Sequence, residues 1–131
     1  VIVSSVLDTS AVLAYIQHEN GYELVEKALD EKAGICAANL AEVTSVLVRN
    51  GDTIEEARKD IKDLGLTVFA VDETLAFAAA ALIKITKPQG LSMGDRLCLA
   101  LAAQLRVPAV TADKPWAKIA MEADVEVRLI R

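Results

Sequence analysis

The sequence has almost no histidine: His18 is the only one in 131 residues. No Ser-His-Asp triad and no histidine-rich metal cluster can therefore be assembled, and His18 itself is expected on the solvated surface. Cysteine is nearly as scarce. Cys36 and Cys98 lie far apart in apolar contexts without a CxxC spacing, which predicts buried free thiols in a reducing compartment. Aromatic residues make up 4% of the chain, so base stacking can contribute little, and Trp116 and Tyr15 are assigned to packing. Positive charge is also short. A formal net charge of −5 argues against nucleic-acid binding through a broad basic surface, while leaving room for a local basic groove and for carboxylates gathered at a metal. The longest apolar runs, "TLAFAAAALIKI" and "LCLALAAQL", fall short of the roughly 18 residues of a membrane span and read as buried helices. The opening residues carry no basic region followed by a cleavable apolar stretch, so a cytoplasmic location is expected.

Apolar residues, by contrast, are abundant. They make up 53% of the chain, which points to an apolar patch covered by a second copy, giving a homodimer, or by another partner. The length suits one domain, residues 1–131. "VIVSSVL" reads as a strand, "TSAVLAYIQHE" and "GYELVEKALDEK" as helices, and "GICAA" as a short buried strand. "NLAEVTSVLVRN" is a helix stopped at Gly51, and "DTIEEARKDIKDLG" a helix with a Thr53–Glu56 capping box stopped at Gly65. "LTVFAV" is a strand, followed by an Ala-rich helix from Glu73 to Ile85, a "TKPQG" loop and a helix from Asp95 to Leu105. "PAVTA", "KPWAKIAMEA" and "VEVRLI" close the chain as strand, helix and strand. Alternation of this kind demands right-handed crossovers. The fold class is thus α/β, a three-layer sandwich around a mostly parallel sheet.

In such sheets, sites form at the carboxyl ends of strands, where loops enter helices. Four acids fall there: Asp8 in "VLDTS", Glu42 one turn after "GICAA", Asp95 after "GLS", and Asp113 in "VTAD". Taken one at a time, several have a plain explanation. Asn39–Glu42 and Ser92–Asp95 match capping boxes, and Asp113 before "KPW" matches an N-cap with Pro115 in the first turn. An acid in a first helical turn also gains about 0.3–1 kcal/mol from the helix dipole. Taken together, the four point to one sheet edge. Two like charges about 4 Å apart cost on the order of 4 kcal/mol at an effective dielectric of 20, so four can share a small space only if some are protonated or cations sit between them. All-oxygen ligation suits Mg²⁺ or Mn²⁺ better than zinc.

"VLDTSAVLAYI", "AANLAEVTSVL", "GLSMGDRLCLALA" and "VTADKPW", in this order and spacing, resemble a PIN domain, and more narrowly the VapC-type ribonuclease toxins of prokaryotic toxin–antitoxin pairs. The resemblance covers essentially the whole chain. It implies a five-stranded parallel sheet, and Asp8, Glu42, Asp95 and Asp113 as the catalytic, metal-holding carboxylates. Ser10 and Thr111 would hydrogen-bond those ligands, and Gly94 would let backbone and metal approach closely. The implied activity is Mg²⁺- or Mn²⁺-dependent hydrolysis of RNA, leaving a 5′-phosphate and a 3′-hydroxyl. A cognate antitoxin would lay a helix in a groove and offer a basic residue to the acids.

RNA phosphates entering an acidic hole need basic groups at its rim. Lys84, Lys87, Arg96 and Lys114 lie in or beside the same loops, and Arg96 and Lys114 adjoin candidate ligands, which makes them the expected phosphate contacts. A haloacid-dehalogenase-type phosphatase would need a second Asp where Ser10 stands, and a receiver domain would need paired acids near Asp8. The serious alternative is a catalytically silent PIN-like module that binds RNA or protein.

Overall fold

A computed structural model describes residues 2–131. Five strands, β1 (Ser5–Leu7), β2 (Ala33–Cys36), β3 (Thr67–Phe69), β4 (Ala109–Thr111) and β5 (Val127–Leu129), form one sheet in the order β3-β2-β1-β4-β5. Every pairing is parallel, so the sheet is fully rather than mostly so. Eight helices connect and cover the strands: α1 (Thr9–Ile16), α2 (Tyr22–Asp30), α3 (Ala37–Arg49), α4 (Ile54–Lys62), α5 (Glu73–Ala81), α6 (Ile83–Thr86), α7 (Met93–Leu105) and α8 (Ala120–Ala123).

The chain winds outward from β1 through β2 to β3, then returns to the other side of β1 to lay down β4 and β5. The winding direction reverses between β1 and β4. In an open parallel sheet, the crevice outside the carboxyl ends at that reversal is where ligands bind.

The sheet is apolar because both faces are covered. Val6 joins a core with Leu75 and Ala79 of α5, Leu97–Ala102 of α7, and Trp116. Leu7 and Ile35 face a second core with Val12, Val25, Val43, Leu47, Ala57 and Ile61 of α1–α4. β1 and β2 are buried at every position, whereas the edge strands β3 and β5 are only partly covered. Gly21, at φ +91°, brings the start of α2 against the chain's end, and a Cβ there would run into the Ile130 carbonyl. Cys36 and Cys98 are both buried free thiols, as expected.

Several boundaries differ from the sequence reading for local reasons. The first strand shortens to Ser5–Leu7, and Val1 of its expected span lies outside the described residues. The first helix stops at Ile16 because His18 turns to φ +53°, where its exposed ring lies 4.4 Å from that of Tyr22. The Ala-rich helix divides at Leu82: its N–H turns back to Ala79 O (3.1 Å), while its carbonyl accepts the Thr86 hydroxyl (2.8 Å). The "TKPQG" segment is a 3-10 turn over Lys87–Gln89, and "KPWAKIAMEA" is a 3-10 turn over Lys114–Lys118 followed by α8. The last long helix starts at Met93, two residues before Asp95, because Ser92 caps it.

Candidate active site

Asp8 ends β1 and caps α1: its Oδ1 accepts from Ala11 N–H at 2.8 Å. The Ser10 hydroxyl lies 2.8 and 2.9 Å from its two oxygens, and the Thr111 hydroxyl donates to Oδ2 at 2.6 Å. The two neighbours expected from the sequence thus stand on Asp8. They are themselves held by the turn that follows β4, since Ser10 Oγ accepts from Ala112 N–H (2.9 Å) and Thr111 Oγ1 from Asp113 N–H (3.0 Å). Asp8 is only 2% exposed. Burial raises its pKa from the ordinary 3.8 to about 6; the Thr111, Ala11 and Ser10 hydrogen bonds oppose that rise, and the charge of Asp95 adds to it.

Glu42 reaches the same region from α3, but Asn39 does not cap that helix. Cys36 at the end of β2 is the N-cap, with no side-chain bond, and the helix is already under way at Ala37. Asn39 is instead fully buried, and its Nδ2 donates toward Glu42 Oε1 (3.0 Å), Thr9 Oγ1 (3.2 Å) and the Gly94 carbonyl (3.3 Å). Thr9 donates its hydroxyl to the same Oε1 at 2.6 Å. Gly94 has a different use from the one expected. A Cβ there would lie 2.6 Å from Glu42 Oε1, so the missing side chain makes room for the Glu42 carboxylate.

Asp95 fulfils its capping box with Ser92: Ser92 N–H donates to Asp95 Oδ2 (2.8 Å), and Asp95 N–H to Ser92 Oγ (3.2 Å). Burial raises its pKa, the Ser92 bonds lower it, and the charges of Asp113 and Glu42 raise it again. Asp113 stands at the N-cap position before Lys114–Lys118 but makes no side-chain capping bond.

All four acids line one cavity of ≈ 390 Å³ at the carboxyl edge of the sheet, together with Thr9, Ser10, Leu13, Ala112 and Arg131. The basic residues expected at its rim are elsewhere. Arg96 is 9% exposed, with its Nε directed at the Ser92 carbonyl (3.4 Å), because α7 is buried nearly all round. Lys114 is exposed and does not line the cavity, while Lys84 and Lys87 line another with Ile83 and Pro88. Among the described residues, the cation that does line it is Arg131, which donates to Glu19 Oε1 (3.2 Å) and the Asn20 carbonyl (3.0 Å).

The family model of the PIN domain matches residues 5–122. The chain belongs to the PIN domain family. No curated protein sequence matches it as a relative. Solved structures resemble this PIN domain over nearly its whole length. A toxin–antitoxin complex from Klebsiella pneumoniae superposes with a TM-score of 0.74 at 18% identity, covering 98% of each chain. VapBC-1 from nontypeable Haemophilus influenzae gives 0.71 at 17% identity, covering 96% of this chain and 97% of that one. VapBC-5 from Mycobacterium tuberculosis gives 0.66 at 25% identity, covering 96% and 98%.

The donor set of the PIN pocket is oxygen throughout. The charge of Asp113 adds to the cost of ionising Asp95, and the lining Arg131 is already engaged by Glu19. Such a set suits a hard divalent cation. Among the described residues, no three acids, histidines or cysteines are drawn together closely enough to form a ready-made cage.

Proposed function

We propose that this PIN domain is a Mg²⁺- or Mn²⁺-dependent endoribonuclease, acting in the cytoplasm as the toxin of a VapBC-type pair. The observation that carries the reading is the convergence of Asp8, Glu42, Asp95 and Asp113, from four separate segments, on one cavity at the topological reversal of the sheet. These four residues would hold the cation. When bound, the ion supplies Lewis acidity toward a phosphoryl oxygen and lowers the pKa of water. The chain's own part is to fix the geometry. Asp8 is clamped by Ser10, Thr111 and Ala11, Glu42 by Thr9 and Asn39, and Asp95 by its capping box. Arg131 is the group in the pocket suited to an RNA phosphate, and its contact with Glu19 orients it.

No described helix is long and apolar enough to cross a membrane. The proposed protein partner is an antitoxin. A mostly apolar groove lined by Ala37, Leu40, Ala41, Thr44, Ser45, Val48 and Arg49 of α3 and by Ile54 is the proposed seat of a partner helix, which would carry a basic residue to the acids. A second copy is the proposed cover for α5, where Phe77 is 71% exposed.

The test is cleavage of a mixed RNA pool with Mg²⁺ or Mn²⁺, beside EDTA and Asp95→Asn controls. Cleavage lost in both controls supports the nuclease. A folded, Mn²⁺-binding protein that cuts no RNA in the pool favours the silent-module alternative.

A further inference from the structure

Asn39 shares the inward stripe of α3 with Val43 and Leu47, all three buried. An apolar side chain would complete that stripe. The carboxamide instead directs Nδ2 at three oxygens and leaves Oδ1 buried with no partner among the described residues. A flipped amide would set Oδ1 against those same acceptors, so its orientation follows from the surrounding oxygens. It is the donor end of this side chain, Nδ2, that meets the site.

Nδ2 and the Thr9 hydroxyl converge on one carboxylate oxygen. Glu42 Oε1 accepts from Thr9 Oγ1 at 2.6 Å and from Asn39 Nδ2 at 3.0 Å. It also packs so closely on Gly94 that a Cβ would lie 2.6 Å away. Oε2 has no hydrogen bond to a protein donor among the described residues. We propose that Asn39 is a positioning residue that, with Thr9, occupies Oε1 of Glu42, so that Glu42 offers a divalent cation one oxygen and discriminates against Ca²⁺. Ca²⁺ takes 6–8 oxygens at about 2.3–2.6 Å and readily uses bidentate carboxylates, whereas Mg²⁺ requires octahedral geometry at about 2.0–2.1 Å. The inference rests on the proposed role of Glu42 as a metal-holding residue and extends it to ion preference.

The experiment measures Mn²⁺ binding by electron paramagnetic resonance, and its displacement by Ca²⁺, on wild type, Glu42→Gln, Asn39→Leu and Thr9→Val, with circular dichroism to establish folding. Asn39→Ala stands in if Asn39→Leu does not fold, and Thr9→Val tests the same oxygen from α1. Glu42→Gln should weaken Mn²⁺ binding. The folded Asn39 variant should weaken it about tenfold, the scale of a lost partner behind a ligand, and Ca²⁺ should displace Mn²⁺ from it more readily than from wild type. A folded Asn39 variant with an unchanged Mn²⁺-to-Ca²⁺ preference overturns the proposal, whether or not Mn²⁺ binds more weakly. Equal Mn²⁺ binding by wild type and Glu42→Gln is a separate failure: it removes Glu42 as a ligand and the proposal with it.

Discussion

Replacing Asp8 by Asn should change how the cation-free protein responds to pH, and the size of the change follows from the burial of one carboxyl. Asp8 is 2% exposed, and its pKa rises from the ordinary 3.8 to about 6, chiefly through burial. At about 1.4 kcal/mol per pH unit, the ionised form is disfavoured in the fold by about 3 kcal/mol. Because the folded protein holds this proton more tightly than the unfolded chain does, the added stability is fully present only below about pH 3. It falls as pH rises toward about 6 and is absent at pH 7. Asn carries no charge to desolvate, and its Oδ1 can keep the cap to Ala11 N–H. In EDTA, the stability of Asp8→Asn relative to wild type should therefore rise by about 2–3 kcal/mol between pH 4 and pH 7. Urea melts of both proteins across that range provide the assay, and reading their difference cancels titrations common to both. A difference that stays flat, or runs the other way, would refute the assignment of Asp8 as a buried, charge-penalised carboxyl.

Mn²⁺ at pH 7 should raise the melting temperature of wild type and do so far less for Asp8→Asn, since binding to the folded state alone stabilises it. Gly94→Ala should push Glu42 Oε1 from its place and reduce RNA cleavage by about 10–100-fold; the helix itself gains propensity, so the melting temperature should hold. Arg131→Ala should raise KM for RNA more than it lowers kcat and flatten the salt dependence by about one phosphate contact, while Lys114→Ala, outside the cavity, should change KM little. Gly21→Ala should destabilise the fold measurably in urea, because its Cβ meets the Ile130 carbonyl at a positive φ.

The strand–helix alternation was enough to give the sheet and its parallel sense, because buried three-residue strands such as Ser5–Leu7 stand out against the helices that cover them. The four acids were legible because each follows a strand or opens a helix, and the structure gathers all four on one cavity. Their supports were harder to see. Asn39 with Glu42 has the spacing of a capping box, and only the abrupt passage from Cys36 into α3 moves Asn39 inside the helix. A signal was present, since Asn39 interrupts an i, i+4, i+8 apolar stripe with Val43 and Leu47. Thr9 carried no such mark. Arg96 looked like a rim residue because it adjoins Asp95, yet it opens a run buried at every position from Arg96 to Ala102, and one step along the helix turns its side chain inward. Arg131 could not have been placed from local pattern, because its partner Glu19 lies 112 residues away in sequence.

The most direct test of the central claim is the chemistry of the cut ends. RNA incubated with the purified protein and Mg²⁺ should yield 5′-phosphate and 3′-hydroxyl termini, with cleavage abolished by EDTA and by Asp95→Asn. Cleavage that persists in EDTA, or that leaves 2′,3′-cyclic phosphates through attack by the RNA's own 2′-hydroxyl, would contradict a carboxylate site built to hold metal.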